Sequence, residues 1–160
     1  MPQLPPEWIA HFKAGPSLRL GSCSASGRPG ITKALAADVL PDGRVMVLAS
    51  RRVGADVLEA IAETGQVALA LGLPTNYVTL HVKGRDAQVL PSEPGDEQLL
   101  RAHLEAFVKQ LAPFGFRREP IEANLARMSE HGVARVCFSV YGAWNQTPGP
   151  GAGQPVELLA

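Results

Sequence analysis

The densest concentration of groups able to hold an anion is Ser50-Arg51-Arg52, which lies between an apolar run, Val45-Met-Val-Leu-Ala49, and a helix-patterned segment. Two guanidinium forks, a hydroxyl and the free amides of a helix N-terminus can converge there on one phosphate or carboxylate, although the same tripeptide also makes an ordinary solvated loop. Lys33, in an earlier extended segment, adds a cation to that region if the two strands are neighbours, and is otherwise an ordinary lysine on a sheet face. Tyr77, Thr79 and His81 alternate with Val78, Leu80 and Val82. They therefore share one side of an extended segment and can line a groove that hydrogen-bonds a planar heterocycle; half-exposed sheet residues are the bland alternative. Trp144, followed by Asn145 and Gln146, can lie against a flat ligand or staple the following segment to the core.

Other chemistry is missing. There is no GxxxxGK[ST] phosphate loop, no GxSxG elbow and no HExxH. Gly149-Pro-Gly151-Ala-Gly153 runs into Pro155 instead of opening a helix, so the context of a dinucleotide loop fails. Cys23 and Cys137 lack zinc spacing, and no metal site is expected. His11, His81, His103 and His131 are scattered over different elements and read as structural or surface histidines.

The elements that must position these groups follow from periodicity. Glu7–Lys13 reads as a short helix after Pro5-Pro6, and Ser17–Ala25 and Ile31–Leu40 as strands joined by a Gly/Pro turn. Val45–Ala49 has the unbroken apolarity of a strand covered on both faces. The next helix is expected to start at Asp56, paired with Glu59 in a capping box, and to end at Gly65. Gln66–Leu71 is a strand, and Tyr77–Leu90 reads as the longest one, with Gly84 at a bend. Asp96–Leu111 and a second segment bearing Ile121, Leu125 and Met128 are amphipathic helices; Val133–Tyr141 is the final strand. Strands and helices do not alternate regularly. A mostly β, α+β architecture follows: an antiparallel sheet closing into a barrel with peripheral helices. Residues 1–160 are expected to form one domain, with a helix within 1–16, a helical insertion at 91–132 and an extended C-terminal arm at 145–160.

Fifteen basic residues balance fifteen acidic ones, which argues against nucleic acid or an anionic membrane as partner. A 46% hydrophobic content supplies a core without staples. No apolar run approaches the ~20 residues of a membrane span, and no secretory signal is visible, so a cytoplasmic location is expected.

Three stretches together resemble the pyridoxamine-phosphate-oxidase-like, FMN-binding split barrels: Ser24–Lys33 running on to Asp38 and Asp42-Gly-Arg-Val-Met-Val-Leu48, Val57–Ile61 followed by Gly65-Gln-Val-Ala-Leu69, and Tyr77–Arg85. The ending Trp144–Gly153 is similar to that of a subgroup of small members. The resemblance implies an antiparallel split β-barrel, a homodimer, and FMN held between the barrels. Lys33, Ser50, Arg51 and Arg52 then fall where the family holds the flavin phosphate. Thr79 falls near the ring, and Trp144 and Gln146 within reach of the partner's site. This chain departs from true oxidases of the vitamin: Val53-Gly54-Ala55 occupies the place of their Ser-Arg-Lys run, and Val78-Thr79 that of an Arg-Gln pair. Pyridoxamine phosphate oxidation is therefore not expected. The reading is an FMN-binding oxidoreductase on a small molecule, with catalytic residues left unassigned. Lys33 or Thr79 is the donor available to a reduced flavin. The alternatives are a non-catalytic carrier or sensor of flavin or haem, with His81 or His131 as haem ligand, and a structural dimer with an empty cleft.

Overall fold

Two short corner connections dictate the architecture. In the computed structural model, which describes residues 2–160, the chain runs α1 (Pro6–Lys13), β1 (Ser17–Cys23), β2 (Pro29–Val39), β3 (Val45–Ser50), α2 (Ala55–Thr64), β4 (Val67–Gly72), β5 (Thr79–Gly84), β6 (Gln88–Pro91), α3 (Asp96–Leu111), α4 (Arg118–Ser129), β7 (Val133–Phe138) and β8 (Gly142–Asn145), with a 3-10 turn at Ala112–Phe114. All strand pairs are antiparallel, and the order is β6-β7-β3-β2-β1-β4-β5-β8. Consecutive strands β5 and β6 stand seventh and first in that order. Laid flat, the six intervening spacings would separate them by about 29 Å, whereas the residues from Gly84 to Gln88 reach at most about 14 Å. The β7–β8 connection makes the same jump. The sheet must therefore curl until its ends meet, which is the barrel expected from the sequence.

Gly84 sits at this seam. A Cβ there would come 2.4 Å from Cδ2 of Phe138, a fully buried residue at the end of β7. The missing side chain is what lets the two corners nest, as the sequence signalled for a bend at Gly84.

Alternation fills the interior with Leu18, Leu20, Val45, Val47, Leu69, Leu71, Leu80, Val82, Val136 and Phe138. Helix α2 closes over β1, β2 and β6 with Val57, Leu58 and Ile61, and Phe12 of α1 joins the same core. A second cluster lies outside the barrel, where Leu35, Met46, Leu48 and Cys137 are roofed by Leu99 and Leu100 of α3 and Leu125 and Met128 of α4. Strand β3 is thus covered on both faces, which is why its sequence is continuously apolar.

Several sequence expectations are corrected. Tyr77–Leu90 is not one strand: Tyr77 has φ 60° in the preceding loop, and Arg85–Ala87 turn the corner from β5 to β6. The final strand likewise breaks at the seam, leaving β8 as a separate element paired with β5. Helix α2 ends at Gly65 (φ 67°), but its N-cap is Gly54 and Asp56 lies inside the first turn. Ser50 organises that start instead, its hydroxyl accepting from Val53 N–H (3.1 Å) and its carbonyl from Gly54 N–H (3.0 Å). The C-terminal segment, expected as an extended arm, folds back along β8. Gly153 N–H donates to Asn145 O (2.7 Å), Val156 N–H donates to Ala143 O (2.8 Å), and Gln3 and Leu159 exchange two backbone bonds. Val156 and Leu158 also pack against the core.

Gly84→Ala should lower the free energy of unfolding by roughly 1–3 kcal/mol through overpacking, and Phe138→Ala by about 3–5 kcal/mol through a cavity. The double variant should lose less than the sum, because the cavity accommodates the added methyl. Denaturant unfolding of the four proteins measures this.

Candidate functional site

Helices α3 and α4 roof only the β2–β3–β7 side of the barrel's outer surface; the outer face of β1, β4, β5 and β8 has no such roof. Strand register aligns this face into rows. One row reads Lys33, Arg19, Ala70, His81 and Trp144; the next reads Ile31, Gly21, Ala68, Lys83 and Gly142. The centre of the face is made of glycine and alanine. Its rims carry cations and aromatic rings, and neither row contains a carboxylate. Four strand spacings put the ends of a row roughly 19 Å apart.

Arg19 and Lys33 are directly opposed across β1 and β2. Like charges in that position are destabilising unless a counter-charge sits between them. Among the described residues neither forms an ion pair; Arg19 donates to Leu18 O at 3.0 Å. Lys33 Nζ lies 5.6 Å from the centre of the Phe107 ring of α3. Burial, helped by the Arg19 charge, pushes the lysine's pKa below its ordinary value.

At the other rim, Lys83 Nζ stands 5.2 Å from the centre of the Trp144 indole. The indole is laid down over Gly142, where a Cβ would come within 2.5 Å of it. His81 is 6.1 Å from the same ring, and its pKa is lowered by burial and then by Lys83. The Arg85 guanidinium covers the exposed Tyr141 ring at 4.1 Å.

The candidate residues from sequence divide into two groups. Thr79 and Trp144 lie on strands of this sheet half and Lys33 borders it on β2, beside α3, while Gln146, exposed, continues from β8 with its backbone N–H donating to Thr79 O (2.8 Å). The Thr79 hydroxyl donates to Tyr77 O (2.9 Å), so it is left to accept hydrogen bonds. Ser50, Arg51 and Arg52 form the turn between β3 and α2. Ser50 is fully buried with its oxygen engaged by Val53, while Arg51 and Arg52 are exposed and free of ion pairs among the described residues. Beneath that turn, the buried Thr32 hydroxyl has no hydrogen-bond partner and lies 3.6 Å from where a Gly54 Cβ would sit. Among the described residues no hydrogen bond or ion pair links the two groups. Arg19, Lys83 and Thr32 were not singled out from sequence, because their juxtaposition is created by register.

The histidines are largely structural, as expected. His11 is buried with a ring nitrogen 3.1 Å from Leu71 O. His103, on α3 beside Lys33, stacks on Phe107; burial, then the Lys33 charge, pushes its pKa down to about 4. Among the described residues no group of three His, Cys, Asp or Glu is placed to hold a metal ion, and no helix is long and apolar enough to cross a membrane.

No family model and no curated protein matches the sequence. Solved structures do match the fold. HupZ of Group A Streptococcus superposes with a TM-score of 0.56 at 13% identity over 94% of this chain and 100% of that one. A putative pyridoxamine 5'-phosphate oxidase of Lactobacillus delbrueckii gives 0.52 at 17% identity, over 89% of this chain and 93% of that one. An F420 reductase gives 0.52 at 15% identity, over 88% and 98%. The chain is thus an antiparallel split barrel with peripheral helices, the fold shared by pyridoxamine 5'-phosphate oxidase-like proteins.

Because the folded His103 titrates near 4 and the unfolded one near 6.5, the unfolded chain binds the proton first. Its contribution to stability is full above pH 6.5 and is lost as pH falls toward 4, with His11 and His81, also lowered by burial, adding the same sign. His103→Gln should flatten this decline in denaturation midpoints measured across that range.

Proposed function

We propose that the protein is a homodimeric flavoprotein that binds FMN on the open β1–β4–β5–β8 face and uses it in oxidoreduction of a small molecule. The observation that carries this reading is the Arg19–Lys33 pair: two like charges in register, without a counter-anion, at one end of a strip of glycine and alanine. A phosphate supplies the missing charge, and a planar ring needs a floor without protruding side chains. The donor set fits the group. Lys33 and Arg19 hold the phosphate end, with Arg51 and Arg52 approaching from the β3–α2 turn. Ala70 and Gly72 of β4 accept the ring, Thr79 accepts a hydrogen bond from its edge, and Trp144 with Gln146 closes the far side.

When bound, the flavin supplies the electron transfer. The protein's part is to seat it, to exclude water and to place positive charge beside it. With Lys33 at the phosphate end and the Thr79 hydroxyl proton already committed to Tyr77, neither side chain donates to the ring itself. A second copy completes the cleft. Ile31, 72% exposed, stands on this side as apolar surface for it to cover.

The visible spectrum of the purified protein tests the reading: two flavin bands support it, and a sharp Soret band turns it toward the haem carrier, for which half-buried His81 is the ligand on this face. Colourless protein that ignores added FMN defeats both. Arg19→Ala with Lys33→Ala should weaken FMN by about a hundredfold if two charged hydrogen bonds are lost. Arg51→Ala with Arg52→Ala should also weaken it, and unchanged affinity in fluorescence titration removes that pair from the site. Sedimentation should report a dimer.

A further inference from the structure

Beside the first row, the barrel surface dips into a hollow of about 320 Å³. Gly21, Gly30 and Ala68 make its floor, Ile31 and Tyr141 rise at its sides, and Lys83 stands on its rim. At Gly21, a Cβ would meet only the Gly30 carbonyl, at 3.3 Å, so the hollow owes its depth to absent side chains. Lys83 forms no ion pair among the described residues; its ammonium leans on the Trp144 indole, and the neighbouring cation, Arg85, is spread over Tyr141. Apolar walls, one uncompensated ammonium and aromatic faces together select a flat apolar body bearing a single negative charge.

We propose that this hollow is a substrate subsite for a small aromatic or heteroaromatic monoanion, with Lys83 as its charge partner and Tyr141 as its stacking wall. The role of substrate rests on the flavin reading; the binding itself does not. Lys83 lies across the strip from the Arg19–Lys33 pair, two strands beyond Arg19, so a ligand on Lys83 lies over Ala68 and leaves Ala70, in the neighbouring row, to the flavin. An uncharged analogue has no partner for the ammonium, which gives the site its preference.

Fluorescence titration in a Trp8→Phe background, where Trp144 is the sole reporter, tests this with benzoate, benzenesulfonate and the uncharged isostere benzamide. Saturable quenching by either anion, with benzamide at least about tenfold weaker, is the expected result. Lys83→Met should abolish that preference, Lys83→Arg should retain it, and Ala68→Leu should weaken all three ligands by filling the floor. Equal binding of benzoate and benzamide, a preference that survives Lys83→Met, or no saturable quenching by either anion overturns the proposal. FMN is titrated in parallel by absorbance. Protein that takes benzoate through Lys83 but no flavin keeps this subsite and removes the cofactor reading; protein that takes FMN without a Lys83-dependent preference does the reverse.

Discussion

The seam where Gly84 nests against Phe138 is the constraint on which the remainder of the molecule depends. Both connections that cross the ends of the sheet pass there, each only a few residues long, and the sheet curls because they are short. Curling buries one side of every strand and turns the other outward. It also sets the register that ties β5 to both β4 and β8, and thereby brings Lys33, Arg19, His81 and Trp144 into a single line. A side chain at position 84 would push the corners apart and loosen both the core and that line.

The outer surface is divided by what covers it. Under α3 and α4 the outward residues are large and apolar, and a second core forms. Beyond the helices they shrink to Gly21, Ala68, Ala70 and Gly72, with cations held at the margins. Dispersing acidic side chains over this region would have relieved the Arg19–Lys33 repulsion at no cost to the interior. Their absence leaves the folded chain with like charges opposed on one face and no acidic neighbour to relieve them. The acidic residues sit elsewhere, for example in the Arg118–Glu105–Glu122 network that ties α3 to α4.

Much of the fold was legible because it is written in local periodicity. The two-sided burial of β3 showed as unbroken apolarity, the end of α2 as Gly65, and the bend at the seam as Gly84. What escaped was non-local. Residues 77–90 keep a strand-like composition through Arg85–Ala87, and only the closing of the barrel assigns the two halves to opposite ends of the sheet. The docking of the last residues depends on backbone bonds to β8 and Gln3, which leave no side-chain pattern. For the site, Lys33, Thr79 and Trp144 stood out by type and strand parity. Arg19 and Lys83 looked like ordinary polar alternations, because nothing in a single sequence says which residue will face which across a ladder.

The reciprocal bonds between Gln3 and Leu159 bring the two ends of the described chain side by side. A short covalent bridge between them would close a small loop at little entropic expense. The backbone could then be reopened at the exposed Ser26-Gly27-Arg28 turn, yielding a permuted topology with the same barrel and the same bare face. Connectivity, in this molecule, is separable from shape.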